Sequence, residues 1–287
     1  MLKDFEKYLK EQRLSENSCS SYISDIKQYE KYYRDSYGED LEKLTSADIQ
    51  TYKSYLKNRL NRKPATINRF FTALRAYNDF LIEKNIQNEK VINDRDYTKI
   101  QAQYDREDIP EDRDINLLKH AASSDKRAYC VIILATYGGL RENEIVNLRI
   151  SNIHLKENYI DVYGKGEKYR TVIINEIMKK ALEEYLEERN KINISNSYLF
   201  VGKKSVFYGD KPLNRNFVNR LVQDYSKKAG VENIHPHSLR AYFCTNAYKV
   251  GYTLLQIASQ AGHSSIDTTR RYIGKDTESL YSLSNKL

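Results

Sequence analysis

The stretch HPHSLRAYF, residues 235–243, brings His235, His237 and Arg240 into about one helical turn around a proline. The chain is otherwise crowded with Lys, Glu and Tyr, and this stretch holds two of its five histidines. Imidazoles transfer protons near neutral pH, and a guanidinium binds phosphate with a planar, permanently charged fork. The stretch alone leaves open which chemistry requires two imidazoles and a guanidinium so close together.

A second arginine stands out upstream of this stretch. In GLRENEI, Arg141 follows a glycine pair at the predicted start of a helix, whose apolar positions Leu140, Ile145 and Leu148 are expected to face inward. An arginine at a helix start is commonly structural, and Glu144 on the next turn is an acceptable partner for it. Both a structural and a functional role for Arg141 remain open from its position alone.

Between these two stretches, NYIDVYGKGEKYRTVIIN predicts short β-strands around 158–164 and 168–175, joined as a hairpin. The turn carries Lys165 between two glycines. A lysine at a hairpin tip is most often a solubilising residue, and Gly-Lys-Gly lacks the pattern of a nucleotide-binding loop. The alternating residues of the two strands are Ile160 and Val162 before the turn and Thr171 and Ile173 after it.

Downstream of the opening stretch, AGHSS contains His263 and TTRRYI contains Tyr272. The chain has 25 tyrosines, so residue type alone cannot select one of them as a nucleophile. Only position and neighbouring motifs can make that choice.

Composition indicates a globular protein with two domains. The 287 residues are 40% hydrophobic and 30% charged, with a mean hydropathy of −0.73. The sequence has no apolar run near the ~20 residues that span a bilayer, and MLKDFEKYLKEQ lacks a signal-peptide core, so we expect a cytoplasmic protein. Cys19, Cys130 and Cys244 are odd in number and have no metal-ligand spacing, so we expect buried or half-buried thiols, and no disulfide framework or metal site.

Positive charge is concentrated in one segment. The net charge is +8, and no acidic residue occurs from Ile49 to Asn78. A charge run is usually a solvated face, but this segregation of sign also favours contact with a polyanion such as DNA. The basic residues of this run, candidates for DNA binding, are Lys53, Lys57, Arg59, Arg62, Lys63, Arg69 and Arg75.

Periodicity predicts a mainly helical fold in two domains, the second of them α+β with a small antiparallel sheet. Helices are predicted at 2–12, 15–37 with Ser15 as N-cap, 46–60, 64–85 with Pro64 in its first turn, 114–122 and 126–138. The segment 87–112 is polar and poorly periodic. The predicted divisions are a helical domain at 1–86, a linker at 87–112 and a second domain at 113–287.

Taken together, these motifs resemble the tyrosine recombinases, also called the phage integrase family. The resemblance covers nearly the whole chain, because KPATINRFFTALRAYNDFL and the helices around it resemble the family's SAM-like core-binding domain. Since that domain begins almost at Met1, the sequence is similar to the compact members of the Xer and TnpI types. The residues that match the six-residue catalytic signature are Arg141, Lys165, His237, Arg240, His263 and Tyr272.

The resemblance implies a role for each of these residues. Tyr272 is the nucleophile that forms a 3′-phosphotyrosyl bond, and Lys165 is the general acid that protonates the departing 5′-oxygen. Arg141 and Arg240 clamp the phosphate, His263 donates a further hydrogen bond to it, and His237 transfers protons or orients its neighbours. No cofactor and no metal is implied, because the covalent bond retains the energy of the phosphodiester.

The resemblance also implies partners. These are double-stranded DNA with specific core sites, and three further copies in a homotetramer that exchanges strands through a Holliday junction, with a monomer in free solution. The tail IGKDTESLYSLSNKL has Leu280, Leu283 and Leu287 at helical spacing, which predicts a short helix that must dock to be ordered. Docking on its own domain remains open, but the resemblance favours docking on a neighbouring subunit.

Four alternatives remain open from the sequence. Two are biological roles for a recombinase: transposon resolution or mobile-element integration, and Xer-type resolution of chromosome dimers. A type IB topoisomerase shares the chemistry without needing paired sites. A DNA-binding regulator without activity is the non-enzymatic alternative, which the complete set of six residues disfavours.

Overall fold

The computed structural model of the chain describes residues 1–99, 109–164, 169–191, 196–202, 210–214 and 216–273. Two compact units make up the chain, Met1–Ala102 and Gln103–Leu287. No helix within the described residues is both long enough and apolar enough to cross a membrane.

The N-terminal unit is built on four helices, close to the predicted bounds. Ser15 caps the second helix as predicted, since its side chain accepts a hydrogen bond from the Ser18 backbone amide at 3.3 Å. Pro64 occupies the first turn of the fourth helix, also as predicted. The four helices are α1 (Leu2–Glu11), α2 (Glu16–Tyr37), α3 (Ser46–Asn58) and α4 (Pro64–Glu83).

Aromatic and aliphatic side chains fill the core of this unit. The apolar stripe of α4 is buried throughout, which confirms the periodicity of its sequence. Phe5 of α1 packs edge-on against Tyr77, with ring centroids 5.0 Å apart, and Tyr29 of α2 packs against Tyr52 of α3 at 4.8 Å. The buried residues of the α4 stripe are Ile67, Phe70, Phe71, Leu74, Tyr77, Phe80 and Leu81.

The segment after α4, which the sequence predicts to be linker, packs in part on the N-terminal unit. Val91 and Ile92 are buried in its core. The buried Gln87 side chain bonds to both the amide and the carbonyl of Leu44, and Asn78 accepts from the Val91 amide at 2.8 Å. In this segment, hydrogen bonds from side-chain amides take the place of the backbone hydrogen bonds of a helix. Helical periodicity in the sequence therefore cannot predict that the segment is packed on the unit.

An ion pair joins α2 to α4. Asp25 is 3% exposed, and its Oδ2 accepts a hydrogen bond from Arg69 Nη1 at 2.6 Å. Burial raises the pKa of Asp25, and the charge of Arg69 opposes that rise. Arg69 therefore has a structural function that the charge run did not predict.

We expect Arg69→Met to destabilise the N-terminal unit because it leaves a buried carboxylate without its partner. The loss should be about 2 kcal/mol, below the ~3–5 of a fully buried pair, since the Arg69 side chain is half-exposed. A pKa raised in the folded state means that ionised Asp25 costs stability above that pKa, so the loss should shrink as the pH is lowered from neutral toward that pKa. Urea unfolding across this range measures it. Asp25→Asn in the same background should restore most of the stability; no restoration would contradict the pairing.

The second unit is α+β, as predicted. Its central helix, Lys126–Gly138, is buried on nearly every side. It packs against the helix that follows the sheet, Glu176–Asn190, and against the helix Pro236–Lys249. The first elements are α5 (Asp112–Ala122), α6 (Lys126–Gly138) and α7 (Glu142–Asn147). The strands β1 (Ile153–His154), β2 (Tyr159–Tyr163) and β3 (Tyr169–Ile173) follow. Five further helices lie within the described residues after the sheet: α8 (Glu176–Asn190), α9 (Asn216–Lys228), α10 (Pro236–Lys249), α11 (Leu254–Ala261) and α12 (Ile266–Ile273).

The three strands form an antiparallel sheet in the order β1-β2-β3, and its register differs from the predicted alternation. Ile160 and Val162 are buried as expected, and they pair with Val172 and Arg170. Residues 171 and 173 therefore lie on the outer face, where the Ile173 side chain is 60% exposed. The predicted apolar face of β3 was wrong because the inward-facing residues of this strand include an arginine, Arg170. A charged residue among the inward-facing positions hides the alternation of apolar and polar residues.

The last three helices pack on one another around a small apolar cluster. Cys244 of α10, Ile257 and Ala261 of α11 and Ile273 of α12 are buried in it. All three cysteines of the chain are buried, which confirms their prediction as small interior residues. This cluster fixes the positions of the motifs that carry His237, His263 and Tyr272.

Candidate active site

The N-terminus of α10 presents the histidines of the opening stretch. His235 is the N-cap of α10: its Nδ1 accepts from the Ser238 amide at 3.1 Å, and its own amide donates to Ser238 Oγ at 3.0 Å. The His235 and His237 rings are nearly parallel, with centroids 6.2 Å apart. One turn further along, Arg240 points toward the interior and is 3% exposed.

Arg240 is held by the turn between α6 and α7. Its Nη1 donates to the carbonyl oxygen of Gly139. Gly139 has φ +63°, and a Cβ there would lie 2.5 Å from the Phe243 ring, so this tight turn requires glycine. Nη2 of Arg240 is buried and has no hydrogen-bond partner among the described residues. A buried guanidinium with an unpaired N–H group can donate a hydrogen bond to an anion such as a phosphate.

Arg141 is the N-cap of α7, and the predicted pairing with Glu144 is present. Glu144 accepts from the Arg141 amide at 2.8 Å and from Arg141 Nη1 at 2.9 Å. Nη2 of Arg141 donates to the carbonyl of Gly262 at 2.8 Å. The side chain remains 42% exposed, so structural pairing and exposure to a ligand coexist.

Arg170 of β3 was not singled out in the sequence. Its Nη1 and Nη2 donate to the two carboxylate oxygens of Glu144 at 2.7 and 2.8 Å. Burial by itself would raise the pKa of Glu144, but the hydrogen bonds and charges of Arg170 and Arg141 outweigh it and hold that pKa below its usual value. In the predicted alternation Arg170 falls on the outer face of the strand, so no local pattern marked it as a residue of the site.

His263 lies in the turn between α11 and α12. Its Nδ1 is 2.8 Å from Oγ1 of Thr269, a fully buried residue of α12 that the sequence motifs did not reveal. Burial lowers the pKa of His263 to about 3, and the charges of Arg240, Arg141 and Arg170 contribute. His263 is therefore neutral at pH 7.

Tyr272 projects from α12 between the two histidines. Its hydroxyl lies 3.2 Å from His237 Nε2, and its ring centroid lies 5.7 Å from those of both His237 and His263. The backbone carbonyl of Tyr272 accepts from Thr245 Oγ1 of α10 at 3.1 Å, which ties the two helices together.

Electrostatics leave both partners of this hydrogen bond neutral. Burial raises the pKa of Tyr272, and the charges of Arg240 and Arg141 oppose that rise. Burial lowers the pKa of His237, and His235, Arg240 and Arg141 lower it further. A neutral imidazole can accept the proton of the phenol hydroxyl, so the pair is arranged for proton transfer.

Five of the six signature residues thus meet in one site, although they come from four separate motifs of the chain. These five are Arg141, His237, Arg240, His263 and Tyr272. Lys165 lies outside the described residues, as does the predicted tail helix that carries Leu280, Leu283 and Leu287.

The basic run of the N-terminal unit divides into two groups. Three of its residues have internal partners: Lys53 donates to the Asp96 carbonyl, Arg69 pairs with Asp25, and Arg75 pairs with Asp94 at 2.7 Å. The other four side chains are exposed and make no hydrogen bond or ion pair with any described residue. These are Lys57, Arg59, Arg62 and Lys63.

Both units match known sequence families. Residues 109–279 match the phage integrase family, and residues 2–85 match the phage integrase N-terminal SAM-like domain. Each match coincides with one of the two compact units.

Individual relatives agree with these matches. The chain is 34% identical over 275 residues to the TnP I resolvase of Bacillus thuringiensis, covering 94% of this chain and 93% of the relative. It is 29% identical over 285 residues to the tyrosine recombinase XerD of Oceanobacillus iheyensis, covering 94% and 92%.

A solved structure extends the likeness to the fold. The XerH site-specific recombinase bound to difH substrate superposes with a TM-score of 0.72 at 20% identity, covering 99% of this chain and 84% of that one. The matched families, the relatives and the similar structure are all those of integrases, resolvases or recombinases, which agrees with the five signature residues that meet in the site. The chain belongs to the phage integrase family of tyrosine recombinases, enzymes that cleave and rejoin DNA.

Proposed function

We propose that this chain cleaves DNA with Tyr272 as its nucleophile, and that it recombines specific sites. The observation that carries this proposal is the hydroxyl of Tyr272 within hydrogen-bond distance of a neutral His237. Beside them lies the buried Arg240, whose Nη2 has no hydrogen-bond partner in the part of the chain that the structure describes. The hydroxyl oxygen attacks the phosphorus while the bond from phosphorus to the 5′-oxygen breaks. A 3′-phosphotyrosine and a free 5′-hydroxyl result.

Protons are accounted for by two groups in this mechanism. His237 Nε2 takes the proton of the Tyr272 hydroxyl, since the imidazole is neutral and already in contact with it. Lys165 gives a proton to the departing 5′-oxygen. Rejoining reverses both transfers when a 5′-hydroxyl attacks the phosphotyrosine. The two esters have similar energy, so the cycle requires neither ATP nor a metal ion.

Charge on the reacting phosphate is stabilised by donors on three elements. Arg240 supplies its free Nη2, and Arg141 supplies the exposed part of its fork. Neutral His263 donates from Nε2 when the Thr269 hydroxyl donates to Nδ1. None of these groups needs to reorganise during the reaction, because each is held by a contact within the protein.

We propose that the exposed basic group of the N-terminal unit contacts DNA phosphates. Replacing Lys57 and Arg62 together by alanine should weaken half-site binding on every sequence. The log–log salt dependence should flatten by roughly 0.9 for each phosphate that the variant no longer neutralises. Fluorescence anisotropy at salt concentrations from about 50 to about 300 mM measures both the affinity and its salt dependence.

The matched control for this prediction is replacement of Lys31 and Lys43, two exposed lysines outside the run. That variant should keep both affinity and slope. An unchanged slope in the Lys57 and Arg62 variant would assign the run to a solvated face. Arg69 is excluded from this test, because its replacement would leave buried Asp25 without its ion-pair partner and would destabilise the N-terminal unit.

The proposed partners are specific core sites on duplex DNA and three further copies of the chain on a pair of sites. We further propose that the chain is a monomer in free solution and acts in the cytoplasm. It exchanges strands through a Holliday junction. We propose resolution of transposon cointegrates as the first candidate role, supported by a 34% identical relative that is named a resolvase. Resolution of chromosome dimers is the second candidate role, since the chain is also similar to a recombinase of the Xer type.

A supercoiled plasmid assay separates these proposals from the other two classes. With two copies of the target site, a recombinase yields deletion or inversion products, and with a single site it yields none. Relaxation independent of any site pair would indicate a topoisomerase. Binding without a covalent adduct would indicate a regulator.

A further inference from the structure

We propose that Arg170 is a positioning residue, which holds Arg141 and the turn containing His263 in their catalytic arrangement. It acts through the Glu144 carboxylate and through the last carbonyls of α11. This proposal rests on the DNA cleavage proposed above and adds a residue outside the six-residue signature.

The contacts form a closed network. Arg170 grips both oxygens of Glu144, and its Nε donates to the carbonyl of Gln260 at 3.0 Å. Arg141 bonds to the same carboxylate and to the carbonyls of Ala261 and Gly262, at 3.4 and 2.8 Å. Two guanidinium forks therefore share one carboxylate and satisfy three consecutive carbonyls at the C-terminus of α11. The residue that follows these carbonyls is His263.

Charge explains why both arginines are needed. Glu144 is 5% exposed, and a carboxylate at that depth is stable as an ion only with close positive partners. Arg141, Arg170 and, at longer range, Arg240 face it. With Arg170 present, one carboxylate has two forks, so Arg141 is oriented without being fully neutralised. Without Arg170, Glu144 would depend on Arg141 alone and compete with the phosphate for it.

Packing ties Arg170 to the α11 turn a second time. Gly262 has φ +67°, and a Cβ there would lie 2.8 Å from Nη1 and 2.9 Å from Cδ of Arg170. The Gln260 side chain also bonds to the amide and the carbonyl of Ile173, at 3.2 and 3.1 Å. Strand β3 is thus fastened along the end of α11, and movement of Arg170 would move the backbone before His263.

The first test replaces Arg170 by methionine. Single-turnover cleavage of a nicked suicide substrate should slow by ~10 to ~10²-fold, the range expected when a catalytic group is misplaced by about 1 Å. Half-site affinity should stay within about 3-fold, because the arginine's contacts are internal. Arg149→Met is the matched control: Arg149 also bonds within this unit, to Ser197 and Tyr198, but does not touch the site. It should cleave at the wild-type rate.

A double-mutant cycle with Glu144→Gln tests the route. If Arg170 acts through Glu144, the double variant should lose about as much as the more impaired single variant. Fully additive losses would overturn the proposal, and so would a wild-type rate in Arg170→Met. If Arg170→Met does not fold, Arg170→Lys takes its place, because it keeps a positive charge beside Glu144 without the bidentate fork. Slower cleavage at an unchanged unfolding midpoint supports the proposal, and wild-type cleavage overturns it.

A glycine pair provides an independent comparison. Gly262→Ala should slow cleavage and lower the unfolding midpoint more than Gly230→Ala, which has the same backbone conformation at φ +66° but no atom within 4 Å of its Cβ. Equal effects would contradict the Arg170 contact. In all these experiments, absence of the covalent adduct in the wild-type protein would refute the proposed cleavage itself. An adduct in the wild type with no effect of any variant would refute only the role of Arg170.

Discussion

Replacing Arg240 by methionine is expected to slow DNA cleavage by at least ~10²-fold, the usual cost of losing one donor to charge that develops in the transition state. Arg240 is 3% exposed, its Nη1 is bonded to Gly139, and its Nη2 has no partner among the residues that the structure describes, so Nη2 needs no reorganisation when phosphate binds. Burial and the charge of Arg141 lower the pKa of Arg240 to about 10, which leaves it charged at neutral pH. Single-turnover cleavage of a suicide substrate measures the effect.

A second buried arginine controls for effects on folding. Arg189 of α8 is 5% exposed and donates to the carbonyls of Asn196, Tyr198 and Leu199, far along the chain from the signature residues. Arg189→Met should reduce stability without slowing cleavage by the folded fraction. If the two variants lose stability equally and cleave equally fast, Arg240 has no place in the phosphate clamp.

Tyr272→Phe is expected to abolish the covalent adduct with DNA while leaving half-site affinity within about 2-fold, because only the nucleophilic oxygen is removed. The ring should stay in place, since its contacts with His237 and His263 and the bond from Thr245 to its backbone do not involve the hydroxyl. Denaturing gel electrophoresis of the protein with a suicide substrate detects the adduct.

Tyr252→Phe serves as the control for this change. Tyr252 is 55% exposed in the turn between α10 and α11, so it tests whether a different tyrosine of the same region can attack. The control should form the adduct at the wild-type rate. Adduct formation by Tyr272→Phe would remove Tyr272 from the nucleophile's role.

Helices that carry an apolar stripe were predictable from the sequence. The stripe of α4, the N-cap at Ser15 and Pro64 in the first turn of α4 lie where the pattern placed them, because these signals are local in sequence. The segment around Val91 was not predictable in this way. Its burial depends on Asn78 and Gln87, whose side-chain amides bond to backbone groups distant in sequence.

The site shows the same division. The resemblance to the family identified Arg141, His237 and Tyr272 by motif, although they lie far apart in the chain. Glu144 was considered only as a structural partner, and Arg170 and Thr269 were missed, because their importance lies in what they touch after folding. The predicted alternation placed Arg170 on the outer face of β3, and only the observed register shows that it faces inward and meets Glu144.

The most direct test of the central claim is to identify the atom that joins protein to DNA. The adduct formed on a suicide substrate is digested with protease and nuclease, and the modified peptide is sequenced by mass spectrometry. The mechanism predicts a single nucleotide-bearing peptide from α12, modified at Tyr272 and joined through a 3′-phosphate. Attachment at any other residue, or through a 5′-phosphate, would contradict it.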